Sequence, residues 1–506
     1  MENIKNRPKI LRFLEITLFN REWFCIALLV FTYITSLIPI TVQNQNTARY
    51  VILWAALVLF YDLFTNRWLF KFYGSHYLIL FCIGAAITIL VNGLSNFTSG
   101  VADFAYIVIV FFLFYTMGMS ADKEKIRRYI LKVTGLFSAL LLLNTLVSFV
   151  LLYLHCSIPF VWHLNGADRY YYMGVSAEGR FTGLQGNANL LGWLAMAGLC
   201  CCLVLYTALP KHGRLIKVYC GVNLVVQWFC VTLTESRGAS MGFYGCLVLF
   251  AVLLVVTSEK MRVEKKIWQR AAACVAIFAF AGAIWLASGM VGRGVTTFLN
   301  QQYAQHEDEN EAELKFPLIG ERDFEGNFST GRTVLMKTGL KTVVNENIVF
   351  GVTSSNAPEE WMKYKPENFS GEPSDAGNMH NLFLQILLCN GVVGLVFFLL
   401  FLFYCLRITV RNVLRKKADT PDRRLLIALL SCLLGFGIIS MVDNILIYPY
   451  TQLLNYLFFL FLGWYVYFIR LTYGQEAMRD PIFEFCARPV RRLIEKRQAQ
   501  KGDSAQ

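Results

Sequence analysis

The sequence predicts an all-α polytopic membrane protein with about 12 transmembrane helices, both termini cytoplasmic, and one long external loop that carries short helices. Three observations lead there. Of 506 residues, 56% are apolar, 15% aromatic and only 16% charged, outside the range of a soluble domain. Apolar windows of about 20 residues recur along the whole chain. Lys and Arg gather in alternate connecting loops, and such an excess marks the cytoplasmic side of a membrane protein.

In chain order, residues 1–23 form a basic amphipathic segment. Lys5, Arg7, Lys9 and Arg12 stand beside Ile10, Leu11, Phe13 and Leu14, a pattern that lies in the headgroup region. No small-x-small cleavage site follows the first apolar run, so that run reads as a span and not as a signal peptide. Nine spans occupy residues 24–290, at 24–41, 49–65, 76–93, 103–120, 129–154, 188–207, 215–233, 238–257 and 270–290. Three more occupy 380–471, at 380–406, 424–446 and 451–471. Residues 472–506 make a basic tail, with Arg488, Arg491, Arg492, Lys496 and Arg497 among apolar residues, suited to an anionic inner leaflet.

Orientation follows from charge. The loops holding Arg67 and Lys71, Lys123 to Arg128, Lys211 to Lys217, Lys260 to Arg270 and Arg407 to Arg424 vote with both termini for the cytoplasm. The opposite loops, 155–187 and 291–379 the longest, are external. Of the net charge of +13, the loop 291–379 carries 14 acidic and 8 basic residues, so the rest of the chain is at +19. The positive charge is therefore a topology signal, and no nucleic-acid partner is implied. Connections as long as Val291 to Asn378 are functional or linker segments. The acidic run Glu307, Asp308, Glu309, Glu311 and Glu313 lacks calcium-loop spacing and reads as a solvated tip. Arg332 to Val344 fits a short helix with Met336, Leu340, Val343 and Val344 on its apolar face. The 14 cysteines lie mostly in apolar runs without CxxC spacing, and neither a disulfide framework nor a zinc site is indicated.

A few external polar residues suit chemistry. Arg180 precedes Asn187 and Asn189 at the start of the sixth span, where free backbone N–H groups attract an anion; the same residues also suit a turn and a helix cap. Ser236 and Arg237 sit in a turn so short that Arg237 lies at the membrane boundary, snorkelling to headgroups or binding substrate, and Gly238, Ala239 and Ser240 permit a close approach. Arg332 opens the loop helix. His380 and Asn381 open the tenth span, as an ordinary helix start or as an imidazole base with its cap. Asp443, with Asn444, lies near the external end of the eleventh span.

The order of these signals ends in His380, Asn381, Leu384, Leu387, Gly391 and Gly394, and it resembles the O-antigen ligase and polymerase superfamily over roughly residues 179–405. The resemblance implies a metal-independent, cofactor-free glycosyltransferase at the outer face of the bacterial cytoplasmic membrane. Its donor would be a glycan on undecaprenyl diphosphate, and its acceptor a hydroxyl of a glycolipid, glycan or protein. His380 and Arg237 would be catalytic. Arg332, Arg180, Ser236, Asn187, Asn189, Asn381 and Asp443 would bind diphosphate and glycan. Guanidinium groups fit phosphate oxygens in a fixed fork, and a single displacement would invert the anomeric centre. Metal-using enzymes of this multi-span kind resemble one another in an acidic residue in the first external loop; Thr41 to Ala48 contains none, and Asp103 reads as a boundary residue. Ligase and polymerase share this reading. A lipid-linked glycan or solute transporter is the other class, and it calls for mid-membrane ionisable groups that these spans largely lack. A membrane scaffold is the third.

Overall fold

The computed structural model describes residues 9–42, 48–66, 72–164, 167–258, 267–304, 332–367, 376–414, 421–448 and 453–486. The acidic run at 307–313 and the tail beyond 486 lie outside the described residues. The helices are α1 (Lys9–Ile16), α2 (Arg21–Thr35), α3 (Ile38–Thr41), α4 (Ala48–Asn66), α5 (Ser75–Asn92), α6 (Phe97–Ile109), α7 (Lys123–Tyr153), α8 (Ala188–Ala208), α9 (Arg214–Leu233), α10 (Arg237–Thr257), α11 (Ile267–Ala304), α12 (Arg332–Glu346), α13 (Ala357–Met362), α14 (Leu382–Ile408), α15 (Pro421–Val442) and α16 (Leu453–Tyr473). Helices α6 and α14 each continue into a π-helical turn, Val110–Phe114 and Thr409–Leu414.

Among the described residues, 10 helices are long and apolar enough to cross a membrane. The two remaining expected spans fall on α4 and on the 15-residue α2, which Asn20 caps through the Glu22 and Trp23 N–H groups. Pro39 opens the separate short α3, so the apolar run 24–41 is not one straight helix. Helix α11 runs on to Ala304, past the expected loop boundary at 290, because the glycines at 292 and 294 sit within a run that is otherwise helix-forming. The core centres on α16, whose residues from Leu453 to Ile469 are all buried by the helices around it.

Polar contacts sort the two ends of the bundle. At one end Asp422 pairs with Lys123 and, at 2.7 Å, with Arg127, and Arg127 also donates to the Ala208 carbonyl. Arg21 pairs with Asp62 and donates to Thr116, while His76 meets Asp480. This is the end where the basic loops were expected. The opposite end carries residues 92–103, 148–164, 167–187, 234–237, 332–367, 376–381 and 443–448, from the loops expected outside.

That second end holds a feature the all-α expectation lacks: a three-stranded antiparallel sheet of β1 (Ser157–Leu164), β2 (Ala167–Val175) and β3 (Phe181–Gly183). Ile158 faces Met173 and Phe160 faces Tyr171, with an irregularity at Gly174 and Val175. Aromatic and β-branched residues either side of Asn165-Gly166 carry a hairpin signal. A loop of polar average composition hides it.

Helix α14 is broken inside the bundle. Gly391 takes φ 61°, and the loop segment before it repairs the break. The Val352 and Thr353 N–H groups donate to the Leu388 and Cys389 carbonyls, while Val392 and Val393 donate to Ile348 and Val349. A Cβ on Gly391 would fall 2.2 Å from the Val349 oxygen, and one on Gly351 would fall 2.6 Å from the Gly391 nitrogen. Both positions therefore need glycine. Backbone groups freed at membrane depth demand such partners.

Candidate active site

Three elements converge where α14 begins. Asn381 caps this helix, its Oδ1 accepting from Phe383 and Leu384 N–H while its Nδ2 donates to the Met441 carbonyl at 3.0 Å. The chain arriving at the cap is held by Gln385 on the same helix, which accepts from the Met379 N–H at 2.8 Å and donates to the Gly377 carbonyl at 3.0 Å. His380, between these anchors, takes φ 45°, with its N–H satisfied by Asn378 Oδ1. Left-handed backbone at a non-glycine residue persists where its surroundings over-determine it, as these do.

The residue that organises this corner is Asp443, one step past the end of α15. Its Oδ1 lies 2.6 Å from His380 Nδ1 and its Oδ2 3.2 Å from Arg332 Nη2. The carboxylate side chain is 8% exposed, against 19% for His380 and 28% for Arg332, so the hub is buried and its two partners are more exposed. A carboxylate at Nδ1 fixes the imidazole with Nδ1–H as donor and leaves Nε2 as an acceptor. Among the described residues Nε2 has no hydrogen-bond partner. Such a nitrogen can take a proton from a hydroxyl.

A second group lies alongside. Arg180, in the turn between β2 and β3, donates from Nη2 to Asn189 Oδ1 at 3.2 Å and to the Thr234 carbonyl at 3.4 Å. Thr234 ends α9, and Glu235, at φ 51°, turns the chain into Ser236, whose Oγ accepts the Ala239 N–H to cap α10. Arg237 is the first residue of α10 and is exposed. The two groups adjoin through Gly238: a Cβ there would stand 3.2 Å from Val442, the neighbour of Asp443. Gly242 repeats the approach against Ile439, and Ala239 packs where Gly192 of α8 has no side chain. The small residues after Arg237 therefore serve helix contact.

All the sequence candidates thus lie at one end of the bundle, in different capacities. Asn187, Ser236 and Asn381 have their side-chain oxygens engaged as helix caps. Asn189 positions Arg180. Asp443, without a motif around it, proves to be the hub. Gln385 was missed, although an amide inside an apolar run is itself a signal of a specific buried hydrogen bond. Of the apolar face expected for the loop helix α12, Val343 is buried and Met336 partly buried, whereas Leu340 and Val344 are exposed and Leu335, Thr338, Gly339 and Thr342 are buried instead. Gly339 is seated on Met379, and Leu335 lies in a cluster with Trp361, so close backbone approach overrode the larger apolar side chains. This seating sets Arg332 at the corner.

Below Arg237, helices α9, α10 and α11 enclose an apolar crevice of about 490 Å³, lined by Trp228, Phe243, Tyr244, Leu247, Ile277 and Phe280 among others. Phe243 is six residues down α10 from Arg237, about 9 Å along the axis.

Residues 222–399 match the family model described as O-Antigen ligase. The match takes in Arg237, Arg332, His380 and the broken helix, and stops short of Arg180 and Asp443. No curated protein matches the chain.

Proposed function

We propose, from the match of residues 222–399 to the O-antigen ligase family model, that this chain transfers a glycan from undecaprenyl diphosphate to an acceptor hydroxyl on the external face of the bacterial cytoplasmic membrane. The observation that carries this reading is Asp443 holding His380 and Arg332 together. One carboxylate orients a proton acceptor and, 3.2 Å from its other oxygen, a guanidinium.

The reaction divides among these groups. The acceptor hydroxyl attacks the anomeric carbon of the donor sugar, and His380 Nε2 takes its proton. The bond from that carbon to the diphosphate oxygen breaks, its electron pair leaving with the lipid diphosphate. Arg332, held by Asp443, and Arg237 supply positive charge to the departing phosphates. Arg180 extends the cationic surface toward the glycan. Asp443 stabilises the imidazolium that forms, as a buried carboxylate does beside a catalytic histidine. Backside attack inverts the anomeric configuration. The crevice between α9, α10 and α11 is apolar and begins below Arg237, which suits the polyprenyl chain of a donor whose diphosphate sits at that arginine.

The test is reconstitution of the purified chain with a lipid-linked glycan and several acceptors. Release of undecaprenyl diphosphate with one mass increment on the acceptor is the expected ligase product, and a ladder of increments would identify the polymerase of the same superfamily. Donor left intact with every acceptor would overturn the proposal, and counterflow of intact donor across vesicles would replace it with transport.

A further inference from the structure

Beneath the site, at mid-membrane, three cysteine sulfurs meet, with a methionine sulfur beside one of them. Cys200 of α8, Cys246 of α10 and Cys432 of α15 are fully buried, and their Sγ atoms all lie within 4.8 Å of one another. Cys246 and Cys432 are 3.9 Å apart, and Met196, one turn from Cys200 on α8, brings its Sδ to 3.7 Å from the Cys200 Sγ. Missing side chains create the convergence. A Cβ on Gly435 would stand 2.5 Å from the Met196 methyl and 3.0 Å from the Cys246 Cβ, and Gly242 admits Ile439 in the same way. Counted from the outer helix ends at Arg237, Asp443 and Ala188, the three cysteines lie at a common depth of about 14 to 18 Å.

Buried cysteines usually pack as small apolar residues. Two features set this cluster apart. The donors come from three different helices, with no nitrogen or carboxylate ligand among them, and two of their separations, 3.9 Å between Cys246 and Cys432 and 3.7 Å between Cys200 and Met196, match a shared coordination shell. Sulfurs about 2.3 Å from a shared metal lie about 3.7 to 4.0 Å apart at tetrahedral to trigonal angles. An all-sulfur set selects soft thiophilic cations. Charge then chooses among them, because net charge inside a bilayer is costly. One Cu(I) that displaces one thiol proton leaves the site neutral, with two thiols and the thioether as neutral donors; Zn(II) would require two thiolates for the same balance.

We infer that Cys200, Cys246, Cys432 and Met196 form an intramembrane binding site for a single Cu(I) ion, which ties together the three helices α8, α10 and α15 under the transfer site. Binding replaces one S–H bond with a thiolate–copper bond, adds dative bonds from the two remaining thiols and the thioether, releases one proton and involves no redox change. The inference stands on the sulfur geometry and is independent of the transfer reading.

The test uses the detergent-purified full chain, kept anaerobic and reduced, titrated with Cu(I) against a bicinchoninate chelator. One ion per chain should be retained, and the copper absorption edge should report a shell of sulfur only, near 2.3 Å. Cys246→Ser and Cys432→Ser should weaken retention at least about tenfold, whereas Cys405→Ser, at a buried thiol outside the cluster, should leave it unchanged. Met196→Leu keeps the packing volume and should remove one sulfur from the shell, so the site can be judged even if a serine variant fails to fold. Thermal unfolding of the wild-type chain should shift upward with Cu(I), since binding to the folded state alone stabilises it. Copper lost to the chelator, retained equally by Cys432→Ser, or held in an oxygen or nitrogen shell would overturn the site, and tighter retention of Zn(II) would overturn the choice of ion.

Discussion

His380 is unremarkable as a residue type and is given its chemistry by two neighbours. Asp443 fixes which ring nitrogen accepts, and Asn378 with Gln385 holds the backbone in a left-handed conformation that aims the ring at the carboxylate. His380→Ala should therefore lower transfer about 10²-fold or more, the scale of a lost general base. Asp443→Asn keeps the shape and removes the charge that serves both His380 and Arg332, so a similar loss is expected while the thermal unfolding temperature stays near wild type. Both are measured as turnover of lipid-linked donor by reconstituted protein; undiminished turnover in Asp443→Asn would remove Asp443 from the centre of the scheme. The histidine, the three arginines and the cap asparagines were legible in the sequence. The pairing was not, because Asp443 lies 63 residues from His380 and a lone aspartate at a span end has no local signature.

Two elements do the positioning, and each depends on an absent side chain. In α14 the turn around Gly391 opens and takes its partners from residues 348–353, so the long loop is stitched into the bundle immediately before the site. Gly391→Ala places a Cβ against the Val349 carbonyl at a positive φ, at a cost of about 2 kcal/mol or more. The expected result is a lower unfolding temperature in detergent together with faster proteolysis of the loop; a variant equal to wild type in both would mean the break is not needed. Helices α10 and α15 approach through Gly238 and Gly242, which sets Arg237 beside the end that carries Asp443. These glycines stand out in the sequence as small residues following Arg237. Which helix they admit is a tertiary fact.

The bundle as a whole separates its charges by end, and that separation predicts an orientation. If the basic end is cytoplasmic, Cys486, exposed on the segment after α16, should resist a membrane-impermeant thiol reagent in intact cells and react once they are permeabilised. A Cys156→Ser background keeps the partly exposed Cys156 at the opposite end from confusing the readout; labelling of Cys486 in intact cells would invert the topology. That segment docks through Asp480, which meets His76 and Tyr77 at the start of α5. Burial pushes the Asp480 pKa up, but hydrogen bonds from His76, the Phe483 N–H and Tyr77 outweigh it and hold the carboxyl below its ordinary range. A depressed carboxyl contributes stability that is present above the unfolded value of about 3.9 and is lost as pH falls through the folded one. The docked segment should thus be protected from proteolysis at neutral pH and released only below about pH 4, and release near pH 6 would contradict it.

By itself the sequence determined the membrane-spanning helical class and singled out most of the polar residues at the candidate site, since hydropathy, charge and cap chemistry are local and accumulate along the chain. Only the tertiary structure decided that Asp443 joins His380 to Arg332, that the loop repairs the broken α14, that α12 turns its small residues inward, and that three cysteine thiols from three helices converge. Each of these is a contact between distant segments that depends on close backbone approach, and such an approach is fixed by how whole helices pack rather than by any periodicity within one.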